Sequence, residues 1–212
     1  MIRVRPFKAI RYNKTKIADI NSVICPPYDV IDAKSRQIYQ NQSPYNMVGL
    51  ILPQDTPSVD KYSAAEKIFC DWLKKNILIR DESEGIYFLR QNFLFGNTRR
   101  VRLGFIALLG LSEDRGIFPH EHTNLAPRED RLQLLRKVRA NLSPIFVLFK
   151  DRQRIINATF DRYLKKEKPL LKFTDREGIE NELWCLRDKE AIDFITRNMR
   201  RKSIFIADGH HR

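Results

Sequence analysis

The stretch GIYFLRQNFLF-GNTRR-VRLGFIALLGL, residues 85–111, decides the fold class of this chain. Its two ends are apolar and aromatic, and its middle contains glycine and asparagine, which favour a tight turn. Two such runs joined by a short turn predict an antiparallel β-hairpin. A second stretch, LLKFTDREGIENELWCLRD at 170–188, has the same arrangement and predicts another hairpin.

Single strands and amphipathic helices surround these hairpins. Strands are predicted at 2–10, at 203–208 and, as a strand of the buried type, at 144–149. Apolar residues at helical spacing predict helices over 33–41 after the cap Asp32, over 60–76, over 126–142 with Leu132, Leu135, Val138 and Leu142 on one face, over 151–166 and over 189–201. We therefore expect an α+β fold with a mixed, largely antiparallel sheet and flanking helices. We expect residues 1–212 to form a single unit, with a flexible loop at 53–58.

Composition favours a globular protein without a membrane segment. The chain has 212 residues, of which 42% are hydrophobic. No apolar run approaches the length of about 20 residues that a membrane span needs, and the N-terminus lacks the pattern of a secretory signal. The three cysteines are widely spaced, which argues against a disulfide framework or a cysteine zinc site and favours a cytoplasmic location.

The chain is basic, with a formal net charge of +13 at pH 7. The positive excess is spread along the whole sequence, without a basic tail or block. A diffuse excess favours any anionic ligand, and a nucleotide fits it as well as a nucleic acid does.

All four histidines fall into two short motifs, HEHT at 120–123 and DGHHR at 208–212. Asp208 and Gly209 end a predicted strand, where a glycine lets the backbone turn and approach a ligand closely. Backbone N–H groups after such a glycine can bind phosphate, and Arg212 would add a bidentate fork. A surface turn with ordinary histidines is the alternative interpretation of the same residues.

Three interpretations of HEHT remain open. His120 and His122 could bind a metal ion, because residues two apart in an extended segment face the same side. Glu121 could act as a general base. The motif could also be a polar structural loop. The zincin pattern H-E-x-x-H is absent, as are the P-loop, dinucleotide-binding and hydrolase-elbow motifs.

A third motif, CPPYDV at 25–30, has two prolines that restrict the backbone around Tyr28 and Asp29. Together with RPFKAIR, HEHT…EDR, NLSPIFVLF, LW and IADGHHR, it resembles the DUF1015 family of unknown function over the whole chain. Family members usually continue past D-G-H-H-R, so the resemblance implies that this chain is the N-terminal part of a longer protein.

The D-G-H-H-R turn is also similar to the phosphate-binding box of the ParB/sulfiredoxin superfamily, which includes free-serine kinases. That similarity implies a ParB/sulfiredoxin-like nucleotide-binding element at the C-terminal end, with ATP or ADP and Mg²⁺ as cofactors. It implies phosphoryl transfer to a small hydroxyl substrate, with serine as the first guess. Sulfiredoxin chemistry is disfavoured, because His210 stands where a catalytic cysteine would follow the glycine.

The resemblance also assigns roles to residues. Glu121 and Asp29 are the candidate catalytic acids, one as base and the other as a helper for Mg²⁺. The nucleotide would be held by Asp208, Gly209, His210, His211, Arg212, His120 and His122. We therefore expect the Glu121 carboxylate within about 10 Å of His210 or Arg212, the reach of hydrogen bonds across one small substrate. The alternatives are a nucleotide-hydrolysing, DNA-associated ParB-like module and a metal-dependent hydrolase.

Overall fold

The computed structural model describes residues 1–111 and 116–212. Contacts between residues group the chain into two compact units, each made of three separate segments. The first unit contains residues 1–9, 81–120 and 146–207, and the second contains residues 10–80, 121–145 and 208–212. The prediction of one unit over residues 1–212 stays a prediction.

The described residues have six helices and eleven strands. The helices are α1 (Ala33–Gln42), α2 (Val48–Ile51), α3 (Lys61–Lys74), α4 (Leu125–Val138), α5 (Ile155–Leu164) and α6 (Lys189–Met199). The strands are β1 (Val4–Arg5), β2 (Ile10–Tyr12), β3 (Leu78–Arg80), β4 (Ile86–Phe95), β5 (Thr98–Ile106), β6 (Leu108–Leu109), β7 (Ile117–Phe118), β8 (Phe146–Phe149), β9 (Leu171–Thr174), β10 (Glu180–Leu186) and β11 (Ile204–Asp208). The predicted α+β class is confirmed. Among residues 1–111 and 116–212, we find no helix with the length and hydropathy of a membrane span.

The first unit is built on a four-stranded sheet in the order β5–β4–β10–β9. Both predicted hairpins are confirmed, since β4 pairs antiparallel with β5 and β9 pairs antiparallel with β10. One face of this sheet is covered by α5, where the Phe88 and Phe160 rings are 3.4 Å apart between centroids. Trp184, opposite Phe88 on β10, belongs to the same core.

A second sheet of the first unit has the order β7–β11–β8, with β7 and β11 parallel. The predicted strand at 203–208 is confirmed as β11. The predicted buried character of 144–149 is wrong, because Phe146 and Leu148 on β8 are 42% and 54% exposed. Only one face of this short strand is covered.

The second unit is mainly helical, with the two-stranded sheet β2–β3 beside it. Helices α1 and α3 begin where the sequence predicts, because Asp32 accepts from the Ser35 N–H at the start of α1 and Asp60 caps α3, whereas the short helix α2 was not predicted. Such caps satisfy donors that a helix start leaves unpaired. A separate core holds this unit together; its buried members are Leu50, Ala65, Phe69, Trp72, Ile77, Leu78, Leu134 and Val138.

Two sequence predictions need correction in detail. The strand predicted at 2–10 is two short strands, because β1 pairs with β6 and β2 pairs with β3. On α4 the buried residues are Leu134 and Val138, whereas Leu135 is 41% exposed.

The loop at 53–58 includes a turn in which Thr56 and Val59 exchange backbone hydrogen bonds. Its predicted flexibility stays a prediction.

Candidate functional site

Residues 208–212, which we call the terminal turn, reverse the chain after β11 within the second unit. Gly209 has a φ of +91°, a conformation that residues with a Cβ rarely adopt. The Arg212 N–H donates to the Gly209 carbonyl at 3.0 Å and closes the turn. A Cβ at Gly209 would lie 3.3 Å from Arg212 Nη1 and 3.4 Å from Ile145 Cα. Glycine is therefore favoured both by the positive φ and by the close approach of Arg212 and Ile145.

The Arg212 side chain is only 11% exposed. Its Nη1 donates to the Pro144 carbonyl at 3.2 Å and lies 3.4 Å from Asp208 Oδ2. Its Nε and Nη2 are buried and have no hydrogen-bond acceptor among the described residues. Asp29 Oδ1 is 4.0 Å from Nη2, beyond hydrogen-bond distance. Nε and Nη2 form one edge of the guanidinium, the edge that can pair with two oxygens of a phosphate or carboxylate.

His210 and Glu121 come together in the same unit. His210 Nδ1 lies 3.0 Å from Glu121 Oε1, and the histidine side chain is 3% exposed whereas the glutamate is half-exposed. The predicted approach of Glu121 to His210 is confirmed. His211, the next residue, has its Nδ1 buried without a hydrogen-bond partner in the described part of the chain. The terminal turn thus carries buried polar atoms next to a carboxylate that solvent can reach.

Tyr28 brings two guanidinium groups to one aromatic ring. It begins a short 3₁₀ helix at Tyr28–Val30, directly after the prolines of CPPYDV. The Arg131 Cζ is 4.0 Å from the centre of the Tyr28 ring, and the Arg212 Cζ is 5.7 Å from it. An aromatic face attracts cations, so the ring helps to hold both arginines despite their like charge.

Asp130 fixes Arg131 from the other side. The Arg131 guanidinium donates to the Asp130 carboxylate, and Arg131 Nη1 donates to the Ile51 carbonyl at 2.6 Å. Lys61 Nζ at 2.6 Å and the Tyr62 hydroxyl at 2.9 Å donate to the same carboxylate. Burial opposes ionisation of Asp130, but the hydrogen bonds from Lys61, Arg131 and Tyr62 outweigh it and lower its pKa to about 2.

A small pocket of about 60 Å³ lies in the second unit beside these groups. Tyr28, Arg131 and Arg212 supply its polar and cationic wall, and α4 with the segment after it supplies a mainly apolar wall. The volume suits a small group rather than a whole nucleotide. Because two arginines line it, an oxyanion is the chemical group that this pocket fits best.

The remaining predicted site residues are exposed. Asp29 and Asp208 are about half-exposed, and both are close to the Arg212 guanidinium. His122 is exposed. His120 belongs to the first unit, where its Nδ1 is 2.7 Å from the Ile206 carbonyl.

Sequence reasoning gave no role to Lys61, Asp130 or Arg131. Asp130 and Arg131 stand in the EDR motif, which contributes to the family resemblance but is too short to suggest a function. Lys61 lies 69 positions from Asp130 in sequence, and no local pattern predicts a contact over that distance. The contacts of two arginines with Tyr28 are not predictable from the sequence, because they exist only when the fold brings CPPYDV, EDR and DGHHR together.

Residues 4–212 match the family described as "Protein of unknown function (DUF1015)". The chain therefore belongs to this family, as the motifs indicated. No curated protein and no solved structure matches it.

Proposed function

We propose that this DUF1015 protein binds a nucleotide at the terminal turn and transfers its terminal phosphoryl group to a small hydroxyl substrate, with serine as the first candidate. The observation that carries the proposal is the buried Nε–Nη2 edge of Arg212, which lacks an acceptor among the described residues. A buried donor without an acceptor costs about 1–3 kcal/mol, and a bound oxyanion removes this cost. The same turn holds His210 against the Glu121 carboxylate.

The phosphate-binding part of the proposal rests on a strand, a glycine turn and an arginine in succession. We infer that the terminal turn is the counterpart of the ParB/sulfiredoxin phosphate-binding box. A positive φ at Gly209 is consistent with a backbone that comes close to a ligand. Arg212 would hold the terminal phosphate through two N–H groups, with His211 as a further donor.

Transfer needs a group that takes the proton of the attacking hydroxyl. The hydroxyl oxygen forms a bond to the terminal phosphorus while the bond from phosphorus to the nucleotide oxygen breaks, and the hydroxyl proton passes to a carboxylate. Glu121 fits this role, because its carboxylate is half-exposed and its contact with His210 holds it at the turn. Asp29 is the second candidate, 4.0 Å from Arg212.

Mg²⁺ fits the residues near the turn, since the half-exposed carboxylates of Asp29 and Asp208 offer the oxygen ligands that this ion prefers. When bound, Mg²⁺ would neutralise part of the charge on the phosphates. The roles predicted for His120 and His122 in phosphate binding stay predictions.

Nucleotide binding is tested by calorimetric titration of the protein with ATP, ADP and pyrophosphate. Arg212→Lys keeps the charge but removes the planar fork, so we expect about tenfold weaker binding, the scale of one charge-assisted hydrogen bond. Arg139→Lys is the matched control, because Arg139 is exposed at the end of α4. It should leave the affinity unchanged.

Phosphoryl transfer is tested by incubating the protein with γ-labelled ATP and serine and following label in phosphoserine and in free phosphate. Label in phosphoserine supports the kinase proposal. Label in free phosphate alone supports the alternative function, a nucleotide hydrolase of the ParB-like type. Absence of nucleotide binding, or equal affinities for the Arg212 and Arg139 variants, would contradict the proposal at its first step.

A further inference from the structure

The four-stranded sheet of the first unit has two chemically different faces. Successive residues of a strand point to opposite faces. Phe88 packs on α5, so the face that it shares with Arg90, Asn92 and Leu94 is here called the helix face. The opposite face, which contains Gln91, Phe93 and Phe95 on β4, is called the open face.

The acidic side chains of this sheet lie on the helix face. Glu182 of β10 is opposite Arg90 and forms ion pairs with Arg90 at 3.7 Å and Lys172 at 2.9 Å. Glu180 accepts a hydrogen bond from Asn92 at 3.1 Å. Both glutamates are therefore already occupied by partners on their own face.

The open face carries arginines and aromatic rings without an acidic residue on any of its four strands. Arg100 is opposite Phe93, and Arg102 is opposite Gln91. Both arginines are exposed, and neither has an ion pair with any described residue. Phe95, at the tip of the hairpin, is 74% exposed. The phenylalanines of β4 thus lie beside the arginines of β5 on one surface.

Arg102 is held in place by its neighbours. Its Nε donates to Gln91 Oε1 at 2.9 Å, and Gln91 Nε2 donates to Asn181 Oδ1 at 2.7 Å. Its guanidinium is 5.7 Å from the Phe93 ring centre and 5.6 Å from that of Phe146. This row of hydrogen bonds leaves the remaining N–H groups of Arg102 for a ligand.

The open face is uncovered around Gly104. A Cβ added at Gly104, two residues along β5 from Arg102, would meet no atom of the described residues within 4 Å. A flat ligand can therefore approach the backbone of the sheet here as well as the rings of Phe93 and Phe95.

We propose that the open face binds single-stranded nucleic acid. Bases would stack on Phe93 and Phe95, which are two residues apart on one strand and so about 7 Å apart. Arg100 and Arg102 would neutralise the phosphates between them. Four-stranded sheets that bind single-stranded RNA use the same combination of flat rings and cations. A second copy of this chain is a poorer occupant, because it would bring two positive faces together. This proposal is independent of the function proposed for the terminal turn.

The test is fluorescence anisotropy with a labelled single-stranded RNA of about 12 nucleotides, a length within the range that one such binding surface covers. DNA of the same sequence and the corresponding duplex are titrated in parallel. We expect a Kd of about 10 μM or below at low salt, and an affinity that falls as salt rises from about 50 to 200 mM. A preference for RNA or for DNA supports the proposal and identifies the ligand.

The decisive comparison uses two double variants with equal loss of charge. Arg100→Gln with Arg102→Gln alters the open face, and we expect the slope of log affinity against log salt to fall by about 1.4, the value for two phosphates of a single strand. Arg99→Gln with Lys172→Gln alters the helix face and should leave affinity and slope nearly unchanged. Equal losses in both pairs would show a non-specific charge effect and overturn the proposal.

Stacking is tested by Phe93→Ala with Phe95→Ala, which should weaken single-strand binding about 5-fold or more for each ring without changing the salt slope. Circular dichroism checks that each variant is folded. If the phenylalanine double variant does not fold, the comparison of the two charge variants still tests the proposal. Equal affinity for the duplex would overturn the proposal, as would no binding at low salt. A dimer that the phenylalanine substitutions dissociate, without RNA binding, would assign the surface to a second copy instead.

Discussion

Asp130→Asn is expected to destabilise the second unit because Asp130 is the common acceptor for three donors. The carboxylate binds Lys61 and Tyr62 from α3 and the neighbouring Arg131. Asparagine has nearly the same size but no charge. It therefore leaves two cations close together without the anion that compensates them.

The size of the effect follows from the pKa of Asp130, which the network lowers from its ordinary value of 3.8 to about 2. At 1.36 kcal/mol per unit, this corresponds to about 2.4 kcal/mol before allowance for solvent. The side chain is 24% exposed, so we expect a loss of about 1–2 kcal/mol at pH 7. Because the pKa is lowered in the folded state, this stability is complete above about pH 4 and is lost as the pH falls towards 2.

The two tryptophans make the measurement specific. Trp72 belongs to the core of the second unit, and Trp184 belongs to the core of the first. In a Trp184→Phe background, urea unfolding followed by tryptophan fluorescence reports on the second unit alone. In this background, the protein with Asp130 intact and the Asp130→Asn variant are compared at pH 7 and at steps down to about pH 2, and the difference should shrink below about pH 4.

Glu129→Gln is the matched control. It removes the same charge from the adjacent residue of α4, where the exposed Glu129 carboxylate accepts from the Gln133 side chain on the surface. We expect a change within about 0.5 kcal/mol. Equal effects of the two substitutions, or a difference for Asp130→Asn that persists unchanged below pH 4, would refute the reasoning from the network.

Three further results are expected. Glu121→Gln should lower turnover by about 10²–10⁴ with nucleotide affinity nearly intact, the usual scale for loss of a general base; full turnover together with an inactive Asp29→Asn variant would reverse the two roles. Gly209→Ala should lower the free energy of unfolding by about 1–3 kcal/mol in urea titrations, because alanine is strained at a positive φ, and an unchanged midpoint would contradict this. Burial raises the pKa of the Cys25 thiol to about 12, whereas Cys70 is exposed. At pH 8 a thiol reagent should therefore label Cys70 well before Cys25. Equal labelling rates would contradict the burial of Cys25.

The elements that the sequence predicts correctly are those held by local interactions. The hairpin at 85–111 depends on neighbouring strands joined by a tight turn, and the start of α3 depends on the cap Asp60. The predicted strand at 2–10 was wrong in extent because its partners are distant. Its first part pairs with Leu108–Leu109 and its last part with Leu78–Arg80, and Pro6 between them has no N–H to donate.

Helix α4 shows a different reason why a prediction from sequence fails. Leucines at 132, 134 and 135 allow two overlapping apolar stripes, and periodicity alone does not choose between them. The core of the second unit selects Leu134 and Val138. The candidate site depends on tertiary structure in the same way. The approach of Glu121 to His210 was predicted because both stand in motifs, whereas the contacts of Tyr28 with Arg131 and Arg212 depend entirely on tertiary structure.

The position of the terminal turn in the sequence has a consequence for how the protein is made. Every buried residue of the two hydrophobic cores, up to Ile204, precedes Asp208 in the chain. During synthesis the ribosome therefore finishes the residues of both cores before it adds the glycine, the two histidines and Arg212. A growing chain therefore passes through a stage at which these core residues exist and Arg212 does not. The anion binding that we propose for this turn is thus acquired only after these core residues have been made.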